Sequence, residues 1–240
     1  MMGRSTPNGP SKARTRFRKS SFLYFFLFFL LFQGISSGVL LDQTVAVVGK
    51  RVLTLRDVEA HFTLQSILES QRIPVKDAVR KDLKLFERAR QELIHNMVVL
   101  NYLESTELTQ NPHVSAVELK NKWKAQLLRS FSTPKEMNDF LSTFSIHEID
   151  VDQRLLDRAR VELFIENDFG SKIHISERDV QAYYEEQKES RFLGKPFESV
   201  SSVAKAQTQR DKIKKEFQKW IEIESRRTEI NLIPFEPNGK

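Results

Sequence analysis

Apolar and polar residues recur at two periods along this chain, and the periods divide it into elements. Thr44-Val45-Ala46-Val47-Val48, Gly49-Lys50 and Arg51-Val52-Leu53 make two β-rich runs around a glycine-containing pair, which predicts a hairpin. Thr54 stands three residues before Asp57, a weak form of the capping box, and opens a helix through about Ser70. Pro74 marks the next start. From there Val75, Val79, Leu83, Phe86, Ala89, Leu93, Met97, Leu100 and Leu103 follow in steps of three and four, predicting one helix of about eight turns.

Three hydroxyl–glutamate pairs mark further helix starts: Ser115 with Glu118, Thr133 with Glu136 (Pro134 at the first helical position), and Ser145 with Glu148. They predict helices over 116–130, 134–143 and 146–168. Asn167-Asp168-Phe169-Gly170 ends the last of these, the glycine being free to turn left-handed. Ser176 and Asp179 start a short helix through about Lys188. Gly194-Lys195-Pro196 breaks the chain, and a helical pattern resumes near Glu198, is strongest at Ile213, Phe217, Trp220 and Ile221, and ends near Arg227.

Thr228–Ile233 alternates like a half-buried strand and has only the distant hairpin to pair with. The expected fold is mainly α with a small β-sheet, the N-terminal hairpin pairing with a C-terminal strand and six to seven helices between. A helical lobe over about 75–190 would be closed by the C-terminal helix and strand, about 197–233.

Residues 22–32 are eleven apolar residues without a break, preceded by the basic stretch Arg14–Lys19 and followed by Gly34-Ile35-Ser36-Ser37-Gly38. That order reads as a secretory signal peptide over 1–38, cut after Gly38. The rival reading is an uncleaved anchor over 22–41, about the length of a membrane span. Either way the basic flank stays in the cytoplasm and the rest is exported, to the periplasm or to the outer face of the inner membrane.

Net charge then changes meaning. The chain of 240 residues carries 38 Lys+Arg against 32 Asp+Glu, yet six of the basic residues and none of the acids lie in residues 1–38. The remainder is neutral and has no general attraction for nucleic acid. Zero cysteines exclude disulfides, thiolate metal sites and a cysteine nucleophile. His61, His95, His113, His147 and His174 are too scattered for a helical metal pair, and no nucleophile elbow or phosphate loop occurs. No catalytic residue, metal or cofactor is assigned.

The residues Val45–Thr54, running straight into a helix, resemble the opening of SurA-like periplasmic chaperones and related parvulin-type foldases. Val114–Trp123, Pro134–Leu141 and Val151–Arg160 resemble later helices of that module, and Ile175–Tyr184 is similar to its "I-S-E-x-x-V-x-x-Y-Y" element. Phe197 to Ile233 resembles its closing helix and strand. The isomerase-bearing members insert a parvulin domain after the Tyr-Tyr helix. Here only Glu185 to Pro196 intervene, so the resemblance implies a chaperone module without prolyl isomerase activity.

Such a module would hold unfolded or outer-membrane protein clients through apolar contacts. The amphipathic stretch Phe131–Phe144 offers Phe131, Met137, Phe140, Leu141 and Phe144 as client-binding residues; a stripe at helical spacing is more often core, and the same residues would then pack helix 134–143 onto its neighbours. A scaffold protein with one dedicated envelope partner is the alternative function, and a divergent prolyl isomerase the third. A homodimer formed by exchange of the terminal strand is compatible with the same pattern.

Overall fold

The computed structural model of the chain describes residues 42–70, 77–106 and 113–235. The leader with its cut after Gly38, and the helix start at Pro74, lie outside them. Strands β1 (Thr44–Val48) and β2 (Arg51–Thr54) pair antiparallel, and β3 (Ile230–Leu232) pairs antiparallel on the other side of β1. The order is β2-β1-β3, so a sheet joins the first and last described elements, as the alternation predicts. A bulge between Thr44 and Ala46 shifts the register and lets the neighbours Val45 and Ala46 both be buried.

The hairpin turns at Gly49, whose φ of 57° is left-handed and whose Cα lies close to α3, so that an added Cβ would sit 3.1 Å from the Asn101 side-chain amide. Gly49→Ala therefore meets both a backbone and a packing penalty. It is expected to lower stability by about 1–2 kcal/mol, read as a shift of the urea midpoint without a change in slope.

Among the described residues eight α-helices separate the hairpin from β3. They are α1 (Leu55–Ser70), α2 (Ala78–Lys81), α3 (Leu83–Ser105), α4 (His113–Arg129), α5 (Pro134–Thr143), α6 (Glu148–Asp168), α7 (Glu177–Gln187) and α8 (Phe197–Arg227). Two start boxes form as predicted. The Thr54 N–H donates to Asp57 Oδ2 at 2.9 Å, and the Ser176 N–H donates to Asp179 Oδ2, also at 2.9 Å. Thr133 Oγ1 accepts from the Glu136 N–H, while the Glu136 carboxylate reaches back to Ser132 rather than to Thr133.

Four expectations need correction. The single long helix is two, because Asp82 is extended and its carboxylate accepts from the N–H groups of Lys84 and Leu85, starting α3 afresh. Ser115 lies inside α4, which begins at His113. Ser145 is not a cap but a left-handed turn residue (φ 56°); the cap lies two residues on at His147, whose N–H donates to Asp150. Gly170 is not left-handed either. It is buried in a short 3-10 turn, where a Cβ would press on the Glu166 carboxyl group.

Three apolar clusters hold these elements. The first lies under the sheet and joins Val45, Val48 and Leu53 to Phe86, Ile94 and Val98 of α3 and Ile221 of α8. Tyr102, Phe164, Phe169, Phe217 and Trp220 extend it with rings in mutual contact. The second joins Ala60, Leu64, Ile67 and Leu68 of α1 to Leu127, Met137, Leu141, Val151 and Leu155. The third packs α7 on the start of α8 through Val180, Tyr184, Val200 and Ala204. No helix among the described residues is long and apolar enough to cross a membrane.

Candidate binding cleft

Helix α3 carries more apolar residues than its covered face can bury. Phe86, Ile94 and Val98 face the first cluster, while Leu93 and Met97 are only half-buried. Leu93, Met97 and Leu100, at i, i+4 and i+7, line one wall of a cleft of about 390 Å³ between α1, α3, α6 and β2. Helix α1 adds His61, Leu64 and Gln65, and β2 adds Arg51 and Val52. The facing wall is charged: Asp150, Arg154, Asp157 and Arg158 recur at helical spacing along α6.

Most of these charges are paired between elements. Arg154 Nη2 lies 2.5 Å from Asp57 Oδ1, joining α6 to α1. Arg158 reaches Glu69 of α1 at 3.1 Å and lays its guanidinium over the Trp123 ring at 4.9 Å. His61 lies 3.2 Å from Glu92, joining α1 to α3. Arg51 donates to Asn101 Oδ1 at 3.0 Å and pairs with Glu104. The cleft thus has an apolar wall on α3 and a charged wall on α6.

Two aspartates there are shifted in opposite directions. Burial disfavours the Asp57 carboxylate, but the hydrogen bond and charge of Arg154 and the bonds from Thr54 outweigh it and hold its pKa below the ordinary value. Burial raises the pKa of Asp157, only partly offset by Gln153 and Arg160. A lowered carboxylate adds stability above its unfolded pKa of about 4, which is lost as pH falls through the lower folded value; a raised one does the reverse. At pH 7 Asp57→Asn is expected to unfold at lower urea than the parent, and Asp157→Asn at higher urea. Both differences should shrink towards pH 3.

A second cavity of about 410 Å³ adjoins the first. Asp42, Thr54, Arg56, Ala60, Ser145, Ile146 and His147 line it, together with Asp57, Asp150 and Arg154, which line both. A further hollow of about 620 Å³ between α7 and α8 is lined by charged and hydroxyl side chains, with Val180 and Phe197 as its apolar members.

The stripe over Phe131–Phe144 lies elsewhere. Phe131, Met137 and Leu141 are buried in the second cluster, and Phe140 and Phe144 pack half-buried against it, their ring centroids 5.1 Å apart. The stripe fastens α5 to α1, α4 and α6, with the Phe131 and Phe140 ring centroids 5.4 Å apart. The open apolar wall belongs to α3. Its residues stand in the helical stripe of the sequence, where nothing marks them off from core.

Among the described residues no group of three or more His, Asp or Glu side chains is placed to hold a metal ion. No known family's sequence profile matches the chain, and no curated protein matches it.

Proposed function

We propose that the protein is an exported, non-catalytic holding chaperone that binds extended, apolar stretches of unfolded outer-membrane proteins in the cleft between α1, α3 and α6. The observation that supports this reading is the α3 wall, where Leu93 and Met97 are left half-buried and line the cleft with the buried Leu100 beneath them. Apolar surface buried there contributes about 25 cal/mol per Å², part of which is offset by ordering the client. The balance is weak, releasable binding.

The sheet edge supports an extended client. β2 has no strand beyond it among the described residues. Gly49 and Ile233 bond across to the opposite side of β1, so by antiparallel alternation Val47 bonds towards β3. Val52, opposite Val47, then turns its own N–H and C=O outward, and its half-exposed side chain lines the cleft. An added strand meets backbone partners on one side and the α3 wall on the other. The resemblance to SurA-like chaperones, carried by the hairpin, the Ser176-capped Tyr183-Tyr184 helix and the closing strand, points the same way.

The test is dilution of a urea-unfolded outer-membrane protein into buffer with and without the mature chain, followed by light scattering. Suppression at a few-fold molar excess is expected. Equal scattering with and without the protein overturns the reading. Capture of a single stoichiometric partner, with no effect on unrelated unfolded proteins, would favour a dedicated scaffold instead.

A further inference from the structure

The two cavities beside α6 meet at one ion pair. Asp57, Asp150 and Arg154 line both, and the Asp57–Arg154 contact at 2.5 Å runs from the first turn of α1 to the second turn of α6. The two partners are not equally fixed. Asp57 is held independently, its Oδ2 accepting from the N–H and the hydroxyl of Thr54 at 2.9 and 2.8 Å. Arg154 is held by a single Nη2 bond to Asp57 Oδ1, and its Nε–H is buried with no hydrogen-bond partner. Removing the pair leaves Asp57 in place and frees the arginine.

The surroundings of this pair are also breakable. At the surface, the other ties between α1 and the α6 region are polar: Arg158 to Glu69, and Arg56 to the carbonyl of Ser145 just before α6. Side chains of Asp57 and Arg154 are 25% and 27% exposed, so water and salt reach both. A part-buried pair that solvent reaches on one side is partly screened by salt. Ala60 and Leu64 of α1 and Val151 and Leu155 of α6 belong to one buried apolar cluster beneath it.

We propose that the Asp57–Arg154 pair is a latch that keeps the client cleft divided, and that its release joins the two cavities into one continuous trough along α1. This inference rests on the holding function proposed above. Closed, the protein offers two short compartments, one with the α3 wall and one beside His147. Open, it offers a single path for an extended segment, with Asp57, Asp150 and Arg154 midway along it. A client carrying one charged residue among apolar ones can exchange partners with either side of the latch.

The chain has no cysteine, so a labelled pair is easily introduced. Gln43→Cys and Ile149→Cys are both exposed and line neither cavity, yet stand on β1's approach and the first turn of α6. With spin labels at the two sites, pulsed electron paramagnetic resonance reads the distance across the latch. A longer distance is expected in Arg154→Gln, and in the parent on raising salt to about 0.5 M, where the Debye length falls to a few ångströms. Arg154→Gln should no longer respond to salt, and Arg154→Lys should behave like the parent.

Binding of reduced, carboxymethylated α-lactalbumin, a permanently unfolded chain, should tighten about two- to fivefold in Arg154→Gln, the equivalent of a pair that solvent reaches. An unchanged distance, in Arg154→Gln and in the parent across salt, overturns the latch whatever the binding shows. A lengthened distance with no probe bound by any form leaves the latch standing and overturns the holding function. The salt series uses the parent side chains, so it decides the matter even if a variant folds poorly.

Discussion

Phe86→Ala is expected to lower the unfolding free energy by about 3–5 kcal/mol, more than half of what a marginal domain of this size commands. Phe86 is fully buried in the first turn of α3, directly under the sheet. Its ring lies 4.2 Å from that of Phe235, beyond β3, and the Arg90 guanidinium sits over it at 5.2 Å. Arg90 in turn donates to the carbonyl oxygen of Ile233 at 3.1 Å, and its Nη1 lies 3.5 Å from that of Val45. One ring therefore supports the cation that staples β1 and the residue after β3 to α3. Its loss leaves a cavity and a buried cation without its aromatic face. Urea unfolding followed by circular dichroism checks the number, and limited proteolysis after β3 should become faster. A loss below about 1.5 kcal/mol would mean that the site collapses around the gap and that β1 and β3 are held from elsewhere.

What the sequence disclosed, and what it hid, follows from the kind of signal each feature leaves. β1 is legible from its β-rich run before Gly49 and β3 from its alternation at period two, and no other strand is available to pair with β3. The Thr54 and Ser176 boxes were legible because donor and acceptor lie three residues apart, within one turn. The break at Asp82 was not, since the apolar steps continue across it; a capping aspartate three positions after Val79 was the signal that could have revealed it. Ser145 misled for the opposite reason. Its spacing to Glu148 suits a box, but the chain needs that residue in a left-handed turn, and the pairing moves to His147 and Asp150.

Arg90 shows the limit of local patterns. Its partners lie at Val45 of β1 and Ile233 just after β3, both remote in sequence, and nothing near it announces them beyond Glu87 one turn away. The cleft has the same origin. Periodicity identifies which face of a helix is apolar, but whether another element covers that face is decided by tertiary packing. Phe131–Phe144 and Leu93–Leu100 carry equivalent stripes. The first is covered by α1, α4 and α6, and the second is left partly open.

That difference makes Met97→Glu the variant with the largest expected effect on holding. Met97 is half-buried between Leu93 and Leu100 on the open wall, so a carboxylate there reaches solvent and the fold should survive. The client would lose roughly 60 Å² of apolar contact, about 1.5 kcal/mol, which corresponds to about a tenfold weaker hold. The new charge would also face Asp157, whose own ionisation is already disfavoured by burial. Light-scattering assays of aggregating outer-membrane protein should therefore require about ten times more Met97→Glu for the same protection. Ile149→Glu places the same charge on a side chain 79% exposed and outside the cleft, and should protect like the parent. Phe140→Ala should reduce stability but not protection per folded molecule, because its ring serves the second cluster. If Met97→Glu protects fully while Phe140→Ala does not, the client surface lies on α5 and not on α3.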